Sequence, residues 1–146
     1  MKKLFLAIFS LIVLASSADA KCYVPSQYWY NTGGGTAPKA YCWDIVKVGS
    51  SNAGWERTDT KYSTTYNHGG NLLITDVVVL GYSKTPSVKM EYRNFNLAWE
   101  QAITNPYGIV VGWYYRFYKQ GSDVPQSGTA EVKEYGYYTK DSLYIR

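Results

Sequence analysis

The sequence is poor in histidine and cysteine, with one His and two Cys among its 146 residues. A structural zinc site takes four ligands that are mostly drawn from these two residue types, so the chain cannot assemble one. The Gly-x-Ser-x-Gly turn of many serine hydrolases is missing. The triple glycine at 33–35 lacks the following Lys and Ser/Thr of a phosphate-binding loop. We expect no metal and no cofactor, and we favour a non-enzymatic role over an enzymatic one.

Runs of one charge sign are also missing. Because residues 1–20 contain Lys2, Lys3 and Asp19, the chain without them carries a formal net charge of +3 instead of +4. The basic residues are scattered singly, which argues against a nucleic-acid site. A mild positive charge still leaves a loose attraction to anionic surfaces such as a membrane.

No apolar run is long enough to cross a bilayer, which takes roughly 18 residues or more. The longest run, residues 4–15, follows Met-Lys-Lys and precedes Ala18-Asp19-Ala20. That order is typical of an export signal with an Ala-x-Ala cleavage site. We therefore expect residues 1–20 to be a signal peptide and residues 21–146 to form one domain, secreted to the periplasm or the medium.

The two cysteines, Cys22 and Cys42, are predicted to form a disulfide, because an even count in an exported chain favours pairing. Closing a loop of this length stabilises a fold by roughly 3 kcal/mol in the chain-entropy model. The loop between them is glycine-rich and carries Tyr28, Trp29 and Tyr30. The disulfide would hold these three rings against the first strand.

Residues 109–118 form the longest stretch dense in β-branched and aromatic residues, and they predict the central strand. Side chains alternate along a strand, so residues 109, 111, 113, 115 and 117 share a core face. The opposite face carries Tyr114, Arg116 and Tyr118.

Further strands are predicted at 41–48, 72–80, 88–93, 128–135 and 142–146, and residues 55–62 are expected to be a returning hairpin strand, with an edge strand or a loop as the alternatives. The 72–80 stretch is apolar at both alternating positions, which indicates burial on both faces. Trp55 and Tyr92 are predicted to point into the core. Strands separated by Gly, Pro and Ser turns indicate an all-β fold, an antiparallel sandwich of about 7–8 strands, Ig-like or jelly-roll-like.

Residues 94–104 fit both a helical and an alternating pattern. The following Asn105-Pro106-Tyr107-Gly108 has Pro and Gly at the positions of a type I turn. A hairpin into residues 109–118 is therefore the favoured interpretation, and a helix is the alternative.

Aromatic residues are abundant, with 16 Tyr and 5 Trp, and so small a domain cannot bury them all. Exposed tyrosine and tryptophan favour ligand binding, although tyrosine also lines sheets without any ligand. The predicted ligand-binding residues are Tyr28, Trp29, Tyr30, His68, Tyr114, Arg116, Tyr118, Tyr137 and Tyr138.

Two polar residues stand out by their context. His68 lies in a glycine-flanked polar loop, where a ligand contact or a turn role is expected ahead of catalysis. Asp76 interrupts an apolar run, and we expect it to lie at a bulge or to pair with an arginine.

Five short motifs resemble the small secreted YolA-like proteins of bacteria, a family without an assigned function. They are Gly54-Trp55-Glu56, His68-Gly69-Gly70-Asn71-Leu72, Gly81-Tyr82, Val111-Gly112-Trp113-Tyr114-Tyr115 and the terminal Asp141-Ser142-Leu143-Tyr144-Ile145-Arg146. The resemblance covers residues 43–146 and implies secretion and a single β-rich domain. It implies no catalytic residue.

The sequence thus favours a secreted, non-enzymatic module that binds a surface glycan or envelope component through exposed Tyr and Trp. Two alternatives remain open. One is a membrane-active effector or toxin that engages anionic lipid. The other is a small hydrolase that uses His68.

Overall fold

Residues 42–82 and 86–146 are described by a computed structural model, and within these ranges the regular structure is all strand, with no helix. No helix in this part of the chain has the length and hydropathy to span a membrane. The strands are β1 (Cys42–Ser50), β2 (Gly54–Arg57), β3 (Leu72–Leu80), β4 (Pro86–Met90), β5 (Arg93–Asn94), β6 (Asn96–Thr104), β7 (Val110–Gln120), β8 (Gly128–Glu134) and β9 (Tyr138–Ile145).

The nine described strands form two antiparallel sheets. The larger has the order β2-β1-β3-β7-β6 and the smaller the order β5-β4-β8-β9. Apolar residues at alternate positions of both sheets join one buried cluster, because each sheet turns its apolar face toward that cluster. Its members include Ile45, Val48, Leu73, Val77, Val88, Met90, Phe117, Val132, Leu143 and Ile145. The prediction of an all-β, antiparallel fold is confirmed.

β3 is the central strand of the larger sheet, and it is buried along most of its length, as its apolar sequence predicted. The prediction that residues 109–118 hold the centre was wrong, since β7 lies one place further out, between β3 and β6. The alternation predicted for β7 is confirmed. Val111, Tyr115 and Phe117 are buried in the core, while Tyr114 and Arg116 are half-buried on the opposite face.

Residues 96–104 are strand, not helix, and form the edge strand β6, while Asn94 belongs to β5. The turn after β6 decides this. Gly108 donates its backbone N–H to the carbonyl of Asn105 at 2.9 Å, and the Asn105 side-chain oxygen accepts from Tyr107 and Ile109 at 3.0 and 2.9 Å. An asparagine that closes its own turn in this way joins β6 to β7 as a hairpin.

Two aromatic residues predicted to be in the core are on the surface. Trp55 belongs to the short edge strand β2, where its side chain is 49% exposed. Tyr92 is 92% exposed because Glu91 and Tyr92 both adopt positive φ, 48° and 62°, in the tight turn between β4 and β5. That turn ends the alternation of β4 before Tyr92, so its ring points to solvent.

Several predictions fall outside the described residues. The signal peptide at 1–20, the loop with Tyr28, Trp29 and Tyr30, and Cys22 all belong to residues 1–41. Of the predicted disulfide pair, the structure describes Cys42, which is buried at the start of β1.

Candidate functional site

One row of outward-facing side chains crosses the larger sheet on the face away from the core. Backbone pairing sets Arg57 opposite Lys47, Lys47 opposite Asp76, Asp76 opposite Arg116 and Arg116 opposite Trp99. Directly opposed side chains of neighbouring strands lie about 4.5–5.5 Å apart at Cβ, so they interact. The row therefore brings together charges and an indole from five strands.

Asp76 is at the centre of this row, and of the two alternatives predicted for it, a bulge or a pairing with an arginine, the structure shows the pairing. Its carboxylate is fully buried and accepts two hydrogen bonds from Arg116, each at 2.8 Å, and one from the Tyr114 hydroxyl at 2.6 Å. The hydrogen bond to Asp76 raises the pKa of Arg116, and burial together with the Asp76 hydrogen bond raises the pKa of Tyr114. The guanidinium and the phenol thus keep their protons, and the three groups stay locked together.

Two tryptophans approach Arg116 from opposite edges of the sheet. The guanidinium carbon of Arg116 is 4.8 Å from the ring centroid of Trp55 and 4.9 Å from that of Trp99. Trp99 also stacks on Tyr114, with centroids 5.4 Å apart and 12° between the planes. We call Trp55, Asp76, Trp99, Tyr114 and Arg116 the tryptophan–arginine cluster. Cation–π and stacking contacts fix its rings without burying them.

The exposure of these tryptophans separates them from the others that the structure describes. Trp55 and Trp99 are 49% and 38% exposed, whereas Trp43 is buried and Trp113 packs partly against the core. Exposed indoles on one face of a monomer are uncommon and typically mark a contact surface. The cluster is therefore the candidate site.

Gly49 sets the position of Trp55. The two residues are paired across β1 and β2, and a Cβ on Gly49 would lie 2.8 and 2.9 Å from two atoms of the Trp55 ring. The indole therefore lies low over the glycine and not upright on the sheet.

We expect Gly49→Ala to push the Trp55 ring off the sheet, because those separations are shorter than any carbon contact a protein tolerates. The indole N–H resonance of Trp55 should shift in an NMR spectrum, while those of the core-packed Trp43 and Trp113 serve as internal references. An unchanged Trp55 resonance would contradict the role given to Gly49.

Beside Trp55 lies a cleft of about 270 Å³, lined by Trp55, Glu56, Arg57, Lys61, Thr65 and Tyr66. It opens where the edge strand β2 meets the loop that follows. The cleft extends the tryptophan–arginine cluster toward the sheet edge and adds polar and cationic groups to it.

His68 does not lie open in its loop but inside the protein. Its Nδ1 is 2.9 Å from the Ser50 hydroxyl, its Nε2 is 2.8 Å from a Glu56 carboxylate oxygen, and its backbone N–H donates to the carbonyl of Arg146 at 2.6 Å. These bonds tie the β1–β2 turn, strand β2, the 58–71 loop and the chain end together.

Ser50, His68 and Glu56 are hydrogen-bonded in that order and have the residue types of a hydrolase triad, but their geometry indicates a structural role. We call these three residues the clamp. The imidazole side chain has no exposed surface, so no substrate reaches it. The Ser50 hydroxyl already accepts a hydrogen bond from the backbone of Ala53 at 3.0 Å. A nucleophilic serine must instead be open to its substrate. Within the described ranges, no group of His, Cys, Asp and Glu is arranged to hold a metal ion either.

The Glu56 carboxylate carries the charge of this clamp. Burial by itself would raise the pKa of Glu56, but hydrogen bonds from Thr65, His68 and Tyr66 outweigh it and lower the pKa to about 2. Glu56 therefore stays ionised at neutral pH and keeps its hydrogen-bonding partners.

The structure places the predicted site residues in three different locations. Tyr114, Arg116 and Tyr118 share the outer face of the larger sheet, where Tyr118 pairs with Ile74 and Asn96. Tyr137 and Tyr138 are exposed at the β8–β9 hairpin of the smaller sheet. His68 is inside, and Tyr28, Trp29 and Tyr30 lie outside the described residues.

Trp55, Trp99 and Lys47 were missed as site residues. The period-two pattern of 94–104 put Trp99 on one face of a strand, but only the pairing of β6 with β7 sets it opposite Arg116. For Trp55, only the burial of Glu56 and the pairing of β2 with β1 show that the indole points away from the core.

Comparison with known proteins adds a family. Residues 35–145 match the model of a family described as a domain of unknown function, DUF4879. The chain belongs to this family. The DUF4879 match spans all nine described strands, so the cluster and the clamp residues Ser50, Glu56 and His68 lie within it. Neither the curated proteins nor the solved structures contain a match.

Proposed function

We propose that this protein is a secreted, non-enzymatic binding module that recognises a surface glycan or envelope component through the tryptophan–arginine cluster. The observation that carries the proposal is the pair of half-exposed indoles, Trp55 and Trp99, held around Arg116 on one sheet face. Flat rings stack on sugar faces, and rings that are already fixed lose little entropy on binding.

Polar groups suited to sugar hydroxyls surround the rings. Gln101 is opposite Tyr114 and Asn96 is opposite Tyr118, and both amides are exposed on this face. An aromatic surface with a few fixed hydrogen-bonding groups is the usual make-up of a specific ligand site. Nine tyrosines among the described residues are also exposed, so surplus rings are displayed and not buried.

The surrounding architecture is part of the same proposal. We infer a β-sandwich, because side chains of both sheets meet in one buried cluster and Ile45 of β1 donates its N–H to Asp141 of β9 at 3.0 Å. Secretion after loss of residues 1–20, a Cys22–Cys42 disulfide and kinship with the YolA-like proteins rest on the sequence. A contribution of Tyr28, Trp29, Tyr30, Tyr137 and Tyr138 to binding is a further part of the proposal.

Anionic membrane is the second candidate ligand. The exposed tyrosines favour it, because amphipathic rings are stable at a lipid headgroup layer. The net positive charge adds a weak attraction to anionic lipid.

We expect Trp55→Ala and Trp99→Ala each to weaken glycan binding by about 30-fold or more, since truncating a central aromatic anchor costs about 2 kcal/mol or more. The measurement is a glycan array with the secreted full chain, followed by titration calorimetry on the best ligand. Liposomes of anionic and zwitterionic lipid are assayed in parallel.

Tyr92→Ala is the matched control, because Tyr92 is the most exposed aromatic residue among those described and lies on the smaller sheet. It should bind as the unmodified protein does. The proposal would be overturned if the Trp55 and Trp99 variants bound glycan as tightly as the unmodified protein does. It would also be overturned if the unmodified protein bound no glycan at all.

A further inference from the structure

The basic side chains around Trp55 differ in how closely an acidic side chain approaches them. Lys47 has its Nζ 5.7 Å from the Trp55 ring centroid and forms no ion pair with an acid of residues 42–82 and 86–146, since the carboxylate of Asp76 opposite it is held by Arg116 and Tyr114. Among the acids that the structure describes, Arg57, whose side chain is 79% exposed, pairs only with the exposed Asp59, at 3.4 Å. Lys61 reaches a Glu56 oxygen at 3.7 Å, the long end of an ion pair.

Apart from the exposed Asp59, the acids nearby are turned inward and already paired. Glu56 is buried and accepts hydrogen bonds from Thr65, Tyr66 and His68. Asp76 is buried and is engaged by Arg116 and Tyr114. A buried, paired carboxylate offers little to an incoming ligand, whereas an exposed ammonium or guanidinium does. The surface that a ligand would meet around Trp55 is therefore positive.

The shape of the region limits what can approach. The cleft beside Trp55 measures about 270 Å³. Pockets for drug-sized ligands measure about 300–1,000 Å³, so this one suits a single sugar unit of a longer chain. Lys47 and Arg57 stand opposite each other on β1 and β2, next to the ring that would stack on that unit.

From this arrangement we infer that the ligand is an acidic polysaccharide. Trp55 stacks on one sugar ring, while Lys47, Arg57 and Lys61 bind its carboxylate, sulfate or phosphate groups. The inference rests on the proposed glycan-binding function and specifies its ligand. These exposed lysine and arginine side chains would stay largely hydrated on binding and would donate charge-assisted hydrogen bonds to such anions.

The position of Trp55 favours a polysaccharide over a lipid headgroup, although both carry anions. A residue that inserts into a bilayer has to project beyond the polar surface. Trp55 instead lies low over Gly49, within 3.0 Å of where a Cβ would be. Its neighbours Lys47 and Arg57 extend from the same face, so the Trp55 ring does not project far enough to insert into a bilayer.

The test compares acidic and neutral polysaccharides. Polygalacturonate and chondroitin sulfate are titrated beside dextran and soluble cellulose oligosaccharides, with anionic vesicles as a separate arm. We expect tight binding of an acidic chain, weakened by added NaCl because screening acts on exposed charges. The Lys47→Gln/Arg57→Gln variant should lose about tenfold or more in affinity for it.

Lys89→Gln/Lys133→Gln is the matched control, since it removes two positive charges from the smaller sheet. It should keep its affinity within about twofold if local contacts and not net charge carry binding. Thermal unfolding of both variants checks that each is folded, and the NaCl dependence of the unmodified protein gives an independent readout.

The failures are distinguishable. Tryptophan-dependent binding of neutral and acidic chains with equal affinity would overturn the acidic ligand and leave the glycan-binding function standing. No binding of any polysaccharide would overturn both. If the protein bound only anionic vesicles, the ligand would be a lipid and not a polysaccharide. If both double variants lost the same affinity for the acidic chain, the effect of charge would be non-specific.

Discussion

Asp76→Ala is expected to lower the free energy of unfolding by about 3–5 kcal/mol, the range for breaking a buried ion pair by removing one partner. The carboxylate is fully buried, and its loss leaves the Arg116 guanidinium and the Tyr114 hydroxyl without their shared acceptor. Urea unfolding followed by circular dichroism measures the change.

Asp123→Ala is the matched control for this prediction. Asp123 also accepts from an arginine Nε at 2.8 Å, from Arg93, but its side chain is 62% exposed. Water replaces a lost partner there, so the unfolding curve should hardly move. Similar losses from Asp76→Ala and Asp123→Ala would show that burial does not set the strength of the Asp76 pair.

The same substitution should also weaken ligand binding. Without Asp76, Arg116 is no longer held between Trp55 and Trp99, and the rings lose the group that fixes them. Binding measured well below the unfolding transition separates this effect from loss of the fold. Unimpaired binding by a folded Asp76→Ala protein would show that the rings do not need Arg116 fixed in place.

Glu56→Gln is expected to lower the free energy of unfolding by about 3 kcal/mol at pH 7, because an amide cannot accept hydrogen bonds from all the donors that the carboxylate satisfies. Those donors are the backbone N–H groups of Thr65 and Tyr66 and the His68 ring. The long loop that these bonds hold at the edge of the larger sheet should loosen, and amide exchange in residues 64–70 should speed up.

This contribution should depend on pH in a definite direction. The pKa of Glu56 is lowered from an ordinary 4.5 to about 2 in the folded protein. A carboxyl with a depressed pKa contributes its full stability above the unfolded value and loses it as protons bind the folded state. The difference in stability between the unmodified protein and Glu56→Gln should be constant above about pH 4.5 and narrow as the pH falls toward about 2.

Glu131→Gln serves as the control for the clamp. Glu131 lies 3.2 Å from Lys133 on the surface of the smaller sheet, so its loss should change stability little at any pH. If the two glutamate variants follow the same pH profile, the hydrogen bonds at Glu56 do not account for its lowered pKa.

The strands that sequence predicted best are those with strong internal patterns. β3 is apolar except at Thr75 and Asp76, and β7 alternates apolar with polar, so the sequence of each strand indicates its burial without knowledge of its neighbours. The turn that begins at Asn105 was predicted correctly for the same reason, because a turn is specified by its own residues. Short or polar elements failed, since β2 has only four residues and its pairing with β1 decides where Trp55 points.

The sequence by itself determined the strand-rich fold and the alternation that puts Tyr114 and Arg116 on one face, and it limited Asp76 to a bulge or a pairing with an arginine. These follow from nearest-neighbour geometry and from the cost of burying a charge. Only the tertiary structure decided that Trp55 and Trp99 meet at Arg116 and that His68 closes a buried clamp with Ser50 and Glu56. Strand order and register bring together residues that are 44 or 61 positions apart in pairs such as Trp55–Trp99 and Trp55–Arg116, and no local pattern encodes which strands become neighbours.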